Sequence, residues 1–507
     1  MNNLPIPHLL ALTITGLSLN SCQQPTQTKK PNIIIILADD MGYGDVQILN
    51  SKSKIPSLNL NRLANEGMIF TDAHTPSGVC SPTRYGLLTG RYCWRTRLQS
   101  AVLWDYAGTL IEPGRITIAD MLRENGYFTG MVGKWHLGID WKLKDESAKE
   151  LMATDIRYSD FDNIDFHSPV TKGINDFGFD YSFAVAGSAN MTPFTYLENN
   201  RVTDIPVYST EEIRQKTGEW YASEGHVAEG FTLERNIPVL SQKACEFIES
   251  AVENHPEKPF FLYYPLVSPH TPVVPNKEFM GKSGAGAYGD FVMETDYHIG
   301  VLLDKLSDLG INKNTMIIFT SDNGPENDRV RNMKTKGDQN TYGHEPQSPF
   351  RGWKRELLEG GHRVPFFVRW PEKIKAGGQN TTTICLTDIF PTLADLLDVE
   401  PDINSAEDGI SFFTGITGKN NPVSFHEAIV HHHANGSFAI RKGDYKLIIE
   451  GPLKSAEILD DSYPVSFLLY DIKNDSRENN DIMGSNPAIV KEMYEILKKY
   501  IRDGRSR

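Results

Sequence analysis

Asn32-Ile33-Ile34-Ile35-Ile36-Leu37 is an unbroken β-branched run, and Ala38-Asp39-Asp40-Met41-Gly42-Tyr43-Gly44 follows it directly. A continuous apolar run of this length reads as a strand buried on both faces, the hallmark of a parallel sheet covered by helices. The polar, glycine-rich stretch after it lies at the strand's carboxyl end, the edge where open α/β sheets build their sites.

The same unit recurs downstream. Tyr127 to Val132 is a predicted strand entering Gly133-Lys134-Trp135-His136, and Phe260 to Leu266 one entering Val267-Ser268-Pro269-His270-Thr271-Pro272. Thr315 to Thr320 opens into Ser321-Asp322-Asn323-Gly324, and Val364 to Trp370 is a further strand. Helices are predicted at Ser57 to Gly67, Ile118 to Asn125, Gly289 to Leu309 and Thr387 to Leu397. Strands alternating with helices predict an α/β fold: a large mixed, mainly parallel sheet sandwiched by helices.

Near Glu400 the pattern changes. Ser437 to Ile449 and Phe467 to Ile472 alternate like antiparallel strands, and Ala488 to Ile501 reads as a closing amphipathic helix. The expected organisation is a catalytic domain at 31–409 and a smaller α+β subdomain, an antiparallel sheet plus helix, at 410–507. The loop-rich, aromatic stretch Asp140 to Asn236 reads as an insertion over the site.

Composition narrows the function. In 507 residues, 65 acidic against 51 basic side chains give a formal charge of −14, which excludes a basic nucleic-acid-binding face. Five cysteines without a Cys-x-x-Cys pair exclude a disulfide framework and a cysteine zinc site. Residues 1–21 carry no Asp, Glu, Lys or Arg, and an apolar stretch from Leu9 to Leu19 precedes Ser21-Cys22. This resembles a bacterial lipoprotein signal, with Cys22 lipidated and residues 22–30 as a polar tether. The implied location is the periplasm or cell surface, with membrane contact through the lipid anchor alone.

Four predicted strand ends therefore carry polar clusters: Asp39-Asp40, Lys134 with His136, His270, and Asp322-Asn323. The oxygen donors Asp39, Asp40, Asp322 and Asn323 suit Ca²⁺, or less well Mg²⁺, rather than a thiophilic metal. Cys80-Ser81-Pro82-Thr83-Arg84, extended to Tyr85-Gly86-Leu87-Leu88-Thr89-Gly90-Arg91, is the most specific signal in the chain. It resembles the signature of type I, formylglycine-dependent sulfatases of the alkaline-phosphatase superfamily.

The resemblance spans roughly Pro31 to Leu397 and implies a role for each matching residue. Cys80 becomes formylglycine, the nucleophile, and touches a metal held by Asp39, Asp40, Asp322 and Asn323. Arg84 positions it, Lys134 and Lys354 bind the sulfate, His270 is the general acid, and His136 takes the proton of the second hydroxyl at position 80. The implied partners are a sulfated saccharide and a formylglycine-generating or anaerobic sulfatase-maturating enzyme. The implied activity is removal of sulfate from carbohydrates, with exo-acting 6-O-desulfation of galacto-configured host glycans as the specific expectation. Two other readings stay open: a phosphate or phosphonate monoester hydrolase of the same superfamily, and a catalytically dead glycan-binding surface protein.

Lesser features take structural readings. Cys93, Cys245 and Cys385 read as buried thiols, Arg91 as a brace for the helix after Cys80, and Trp135 and Trp353 as packing residues. The pocket walls are expected from Phe161 to Asn200 and from His431-His432-His433.

Overall fold

The isoleucine run forms the strand Asn32–Asp39 at the centre of a ten-stranded mixed sheet. Its side chains alternate between two cores. Ile33, Ile35 and Leu37 pack with Phe261, Tyr263, Met316 and Ile318 on one face. Ile34, Ile36 and Ala38 pack with Leu262, Tyr264, Ile317 and Phe319 on the other. Both cores exclude water, which is why the run shows no polar alternation.

The protein is represented by a computed structural model that describes residue 1 and residues 30–218, 221, 224–402, 404–418 and 426–507. Apart from Met1 and Lys30, the expected signal peptide, Cys22 and the tether lie outside the described residues. Pro31–Arg507 form one compact unit. No helix among the described residues is long and apolar enough to cross a membrane.

Phe260–Pro269 and Thr315–Ser321 flank the central strand in parallel. Phe128–Lys134 and then Tyr181–Val185 extend the parallel set beyond Phe260–Pro269. These parallel strands bring the four polar clusters to one sheet edge. On the other flank, Phe366–Arg369 and Met68–Phe70 run antiparallel. Helices Cys80–Thr89, Ile118–Glu124 and Ile389–Leu397 cover one face. Leu58–Asn65, Asn236–Asn254 and Gly286–Asp308 cover the other. Thr117 caps Ile118–Glu124 in a reciprocal box with Asp120, which satisfies two backbone donors that the first turn leaves free.

Four antiparallel strands follow: Ile429–His432, Phe438–Lys442, Tyr445–Glu450 and Ser466–Asp471. Helix Pro487–Asp503 packs Met493, Ile496, Leu497 and Tyr500 against Ile440, Leu447 and Leu469 of this sheet.

Three features differ from the sequence reading. Tyr181–Val185 lies within the presumed insertion yet pairs in the central sheet, because its alternate residues bury on both sides. Asn236–Asn254 is a long helix whose Ile237, Leu240, Ala244, Ile248 and Ala251 repeat at helical spacing. Ser268 and Pro269 belong to the strand rather than to the loop after it.

Candidate active site

Cys80 is the first residue of a helix whose ten residues are all buried, so its sulfur sits where unpaired backbone N–H groups favour an anion. Arg84 lies one turn on, on the same helix face. Its Nε and Nη2 donate to Asp322 Oδ2 at 3.1 and 2.7 Å, and its Nη1 donates to the Lys134 carbonyl at 2.9 Å. The guanidinium thus ties the Cys80 helix to two strand ends.

Lys134 Nζ donates to Asp39 Oδ2 at 2.8 Å, and Lys354 Nζ lies 2.7 Å from Asp40 Oδ1. Asn323 Nδ2 donates to Asp40 Oδ1 at 2.6 Å, and His270 Nε2 is 3.7 Å from Asp40 Oδ2. Ligand atoms of Asp39, Asp40, Cys80 and His270 all lie within 4.8 Å of one another. Cys80 interacts with Lys134, Lys354, His136 and His270. The ten residues singled out in the sequence therefore meet in one place.

The backbone is bent to achieve this. Asp40 and His136 adopt φ of 67° and 56°, left-handed values that side-chain-bearing residues avoid and that concentrate at functional sites. Gly133 has φ 137°, and a Cβ there would sit 1.8 Å from the Pro265 carbonyl oxygen. Only glycine lets the strand bearing Lys134 approach its neighbour so closely.

The carboxylates of the site are crowded and buried. Burial pushes the Asp322 carboxyl well up, with Asp39 adding to it, and burial also raises Asp40. Burial works against ionised Asp39 too, but Lys134, His270, Arg84 and Lys354 outweigh it and hold that carboxyl well below its usual range. Asp39 Oδ1 and Asn323 Oδ1 are buried and accept no hydrogen bond. Crowded carboxylates with spare oxygen lone pairs fit a hard divalent cation.

Around Cys80 the balance favours the anion. Burial would raise the thiol, yet Lys134 and then Lys354 hold it well below the ordinary thiol range. His136 Nε2 lies 2.9 Å from the Leu103 carbonyl, which fixes the ring proton on Nε2 and leaves Nδ1 as a lone pair with no hydrogen-bond donor. Burial first, then Lys134, pulls His136 down to about 4, so the ring stays a neutral base. His270 Nδ1 donates to the Thr271 carbonyl, leaving Nε2 toward Asp40.

Cys80, His136, His270 and Lys354 line a cavity of about 210 Å³. Ser188, Asn190 and Met191 of the expected wall segment Phe161 to Asn200 also line it. The second expected wall is corrected by one residue: Ala434 lines the cavity, whereas His431 and His432 are buried in their strand. Trp104, Glu326, Lys334 and Arg355 also line the cavity and carried no signal in the sequence, because the tertiary fold brings them there. Arg91 pairs with Glu112 and Tyr85, Trp135 is fully buried against Phe177, and Cys93, Cys245 and Cys385 are buried free thiols.

Known proteins resemble the chain along most of its length. A family model described as Sulfatase matches residues 31–399, and one described as N-sulphoglucosamine sulphohydrolase, C-terminal, matches residues 351–506. The chain is 32% identical to an N-acetylgalactosamine-6-O-sulfatase of Bacteroides thetaiotaomicron, with 95% of this chain and 96% of that enzyme aligned. Arylsulfatase A of Homo sapiens is 30% identical, with 93% and 87% aligned. A solved structure from work on the metabolism of multiple glycosaminoglycans by Bacteroides thetaiotaomicron superimposes with a TM-score of 0.77 at 30% identity, covering 94% of this chain and 100% of that one. A family model over residues 31–399 and full-length relatives at 30% identity or more place the chain in the sulfatase family, as a sulfuric ester hydrolase.

Proposed function

We propose that the enzyme is an exo-acting 6-O-sulfatase on terminal galacto-configured sugars, of the N-acetylgalactosamine or galactose type, in host glycans. The observation that carries this is the near full-length similarity to an N-acetylgalactosamine-6-O-sulfatase. The cavity supports the exo reading: about 210 Å³ is less than the roughly 300–1,000 Å³ that encloses a drug-sized ligand, and suits one terminal sugar.

Two groups complete the site. A Ca²⁺ ion, held by Asp39, Asp40, Asp322, Asn323 and residue 80, supplies fixed positive charge against the anionic ester. Oxidation of Cys80 to formylglycine by a maturation enzyme supplies a hydroxyl-bearing nucleophile that a thiol cannot match. The remaining work falls to the chain's own side chains. Lys134 and Lys354 offset charge on the sulfate oxygens, and Arg84 fixes the helix that presents residue 80. His270 Nε2 delivers a proton to the departing sugar oxygen, and His136 Nδ1 accepts one from residue 80.

The catalytic portion is assigned to 31–409 and the α+β portion to 410–507. Export to the periplasm or cell surface on a lipidated Cys22 follows from the leader sequence. Sulfate release from a panel of sulfated monosaccharides and disaccharides tests the reading. Preferential release from N-acetylgalactosamine or galactose 6-sulfate is the expected result. Preference for 2-O-, 3-O- or 4-O-sulfates, or for aryl phosphate over aryl sulfate, would overturn it.

A further inference from the structure

Among the described residues, one cation of the cavity lining lacks the carboxylate partner that the others have. Lys134 and Lys354 already flank Cys80. Farther along the lining stand Arg355 and Lys334, and the two differ in one respect. Arg355 is committed: its Nη1 and Nη2 donate to the two carboxylate oxygens of Glu326, each at 2.7 Å. Lys334 is half-buried, and among the described residues its ammonium has no carboxylate and no hydrogen-bond acceptor, although its main chain is paired to Arg331 and Val273. Burial pulls that ammonium's proton affinity down, with Arg355 and Lys354 adding to the pull and Glu326 opposing it. A half-dehydrated cation without a directly paired counter-ion, its nearby carboxylate Glu326 being already bound by Arg355, is unfavourable, and an arriving anion relieves it.

A second unsatisfied group lines the same cavity. The Ser188 hydroxyl is 2% exposed and makes no hydrogen bond. Buried hydroxyls without a partner are rare in native proteins and call for an explanation. A ligand hydroxyl supplies one.

Resting on the sugar-sulfatase reading, we propose that Lys334 anchors a second anion subsite, taking a carboxylate or additional sulfate that the substrate carries besides the scissile ester, while Ser188 hydrogen-bonds a sugar hydroxyl. The substrate is then a doubly anionic saccharide: a sulfated sugar joined to a uronate, or a disulfated sugar.

The test compares wild type, Lys334→Gln and Lys334→Arg on four probes. These are N-acetylgalactosamine 6-sulfate, a disaccharide of that sugar followed by a uronate, the same disaccharide with the carboxyl reduced, and N-acetylgalactosamine 4,6-disulfate. Lys334→Gln should raise KM roughly 5- to 20-fold on the doubly charged probe that uses the subsite, and leave the singly charged monosaccharide unchanged. Lys334→Arg should keep most of the wild-type value. A response confined to the uronate disaccharide identifies the carboxylate, and one confined to the disulfate identifies the second sulfate. Equal changes on singly and doubly charged probes, or no change on any, would overturn the subsite. If wild type cleaves none of the sugars, the 6-sulfatase reading falls instead. The subsite is then read from competition against 4-nitrophenyl sulfate hydrolysis: doubly charged saccharides must inhibit wild type more than singly charged ones, and that gap must close in Lys334→Gln.

Discussion

The chain buries two clusters built from nearly the same ingredients. One gathers Asp39, Asp40 and Asp322 with Arg84, Lys134, Lys354 and two histidines. The other gathers Asp72 and Glu359 with Arg441, Lys446 and the histidines 74, 362 and 431. What separates them is where the lone pairs go. In the second cluster the ring nitrogens contact one another and the flanking charged groups, and the one left over, His431 Nε2, is sealed from solvent. Lys446 Nζ lies 3.1 Å from His362 Nε2, His362 Nδ1 lies 3.1 Å from His74 Nδ1, and His74 Nε2 lies 2.8 Å from Asp72 Oδ1 and 3.0 Å from Arg441 Nη1. Its three histidines have metal-like spacing, but the rings of His362 and His431 stack at 3.7 Å and 15°. Lone pairs lying in nearly parallel ring planes do not converge on one ion. In the first cluster Asp39 Oδ1, Asn323 Oδ1 and His136 Nδ1 are left without donors, and His136 faces a cavity. Charge composition is therefore no guide to function; unspent lone pairs beside open space are.

The sharpest way to break this contrast is to remove one key group from each cluster. Cys80→Ala should lower turnover by at least about 10⁴-fold while the melting temperature stays near wild type, since the catalytic group goes and the packing remains. Wild-type turnover in that variant would refute the nucleophile. Lys446→Ala should do the reverse. It removes the cation that buried Glu359, 3.0 Å away, shares with Glu478, and should cost about 3–5 kcal/mol of stability in denaturant titration, with turnover per folded molecule retained. A stability loss under about 1 kcal/mol would mean the second cluster is not the closed network described.

His270→Ala sharpens the assignment within the first cluster. Turnover should fall by about 10²-fold or more on sugar sulfates and much less on nitrophenyl sulfate, whose leaving group needs no proton. Equal losses would remove His270 from the acid role.

The smallest effect is on pH. Burial holds His74, His362 and His431 below the usual histidine value, against Asp72 and Glu359, which favour their charged forms, and with Arg441 and Lys446 opposing protonation. The folded state therefore stays neutral where the unfolded chain takes up protons. Stability should be unaffected above about pH 6.5 and decline below it, by up to about 1.4 kcal/mol per pH unit for each histidine. Stability that rises on acidification from pH 6.5 would contradict the neutral assignment.

The central sheet and the meeting of the candidate site residues were legible because both are written locally. Ile33 to Leu37 are apolar on both faces, Asp39, Asp40, Lys134, His136, His270, Asp322 and Asn323 stand within a few residues of a strand end, and Cys80 and Arg84 share one short motif. Helix Asn236–Asn254 carried its own periodic signal, hidden behind the loop-rich stretch before it. The strand Ile429–His432 was illegible for another reason: its histidines face a closed core, so their polarity concealed burial. The cavity walls were beyond the sequence altogether. Ser188, Lys334 and Ala434 belong to three separated segments whose meeting is a property of the tertiary fold.

The central claim is that residue 80 works as an oxidised side chain set against the carboxylates of the sheet edge. Mass spectrometry of the Cys80-containing peptide, from active enzyme made in a host with maturation activity, tests it most directly. The account predicts a peptide in which the thiol's sulfur and two hydrogens have been exchanged for one aldehyde oxygen. Full sulfatase activity from protein whose Cys80 is wholly an unmodified thiol would contradict it.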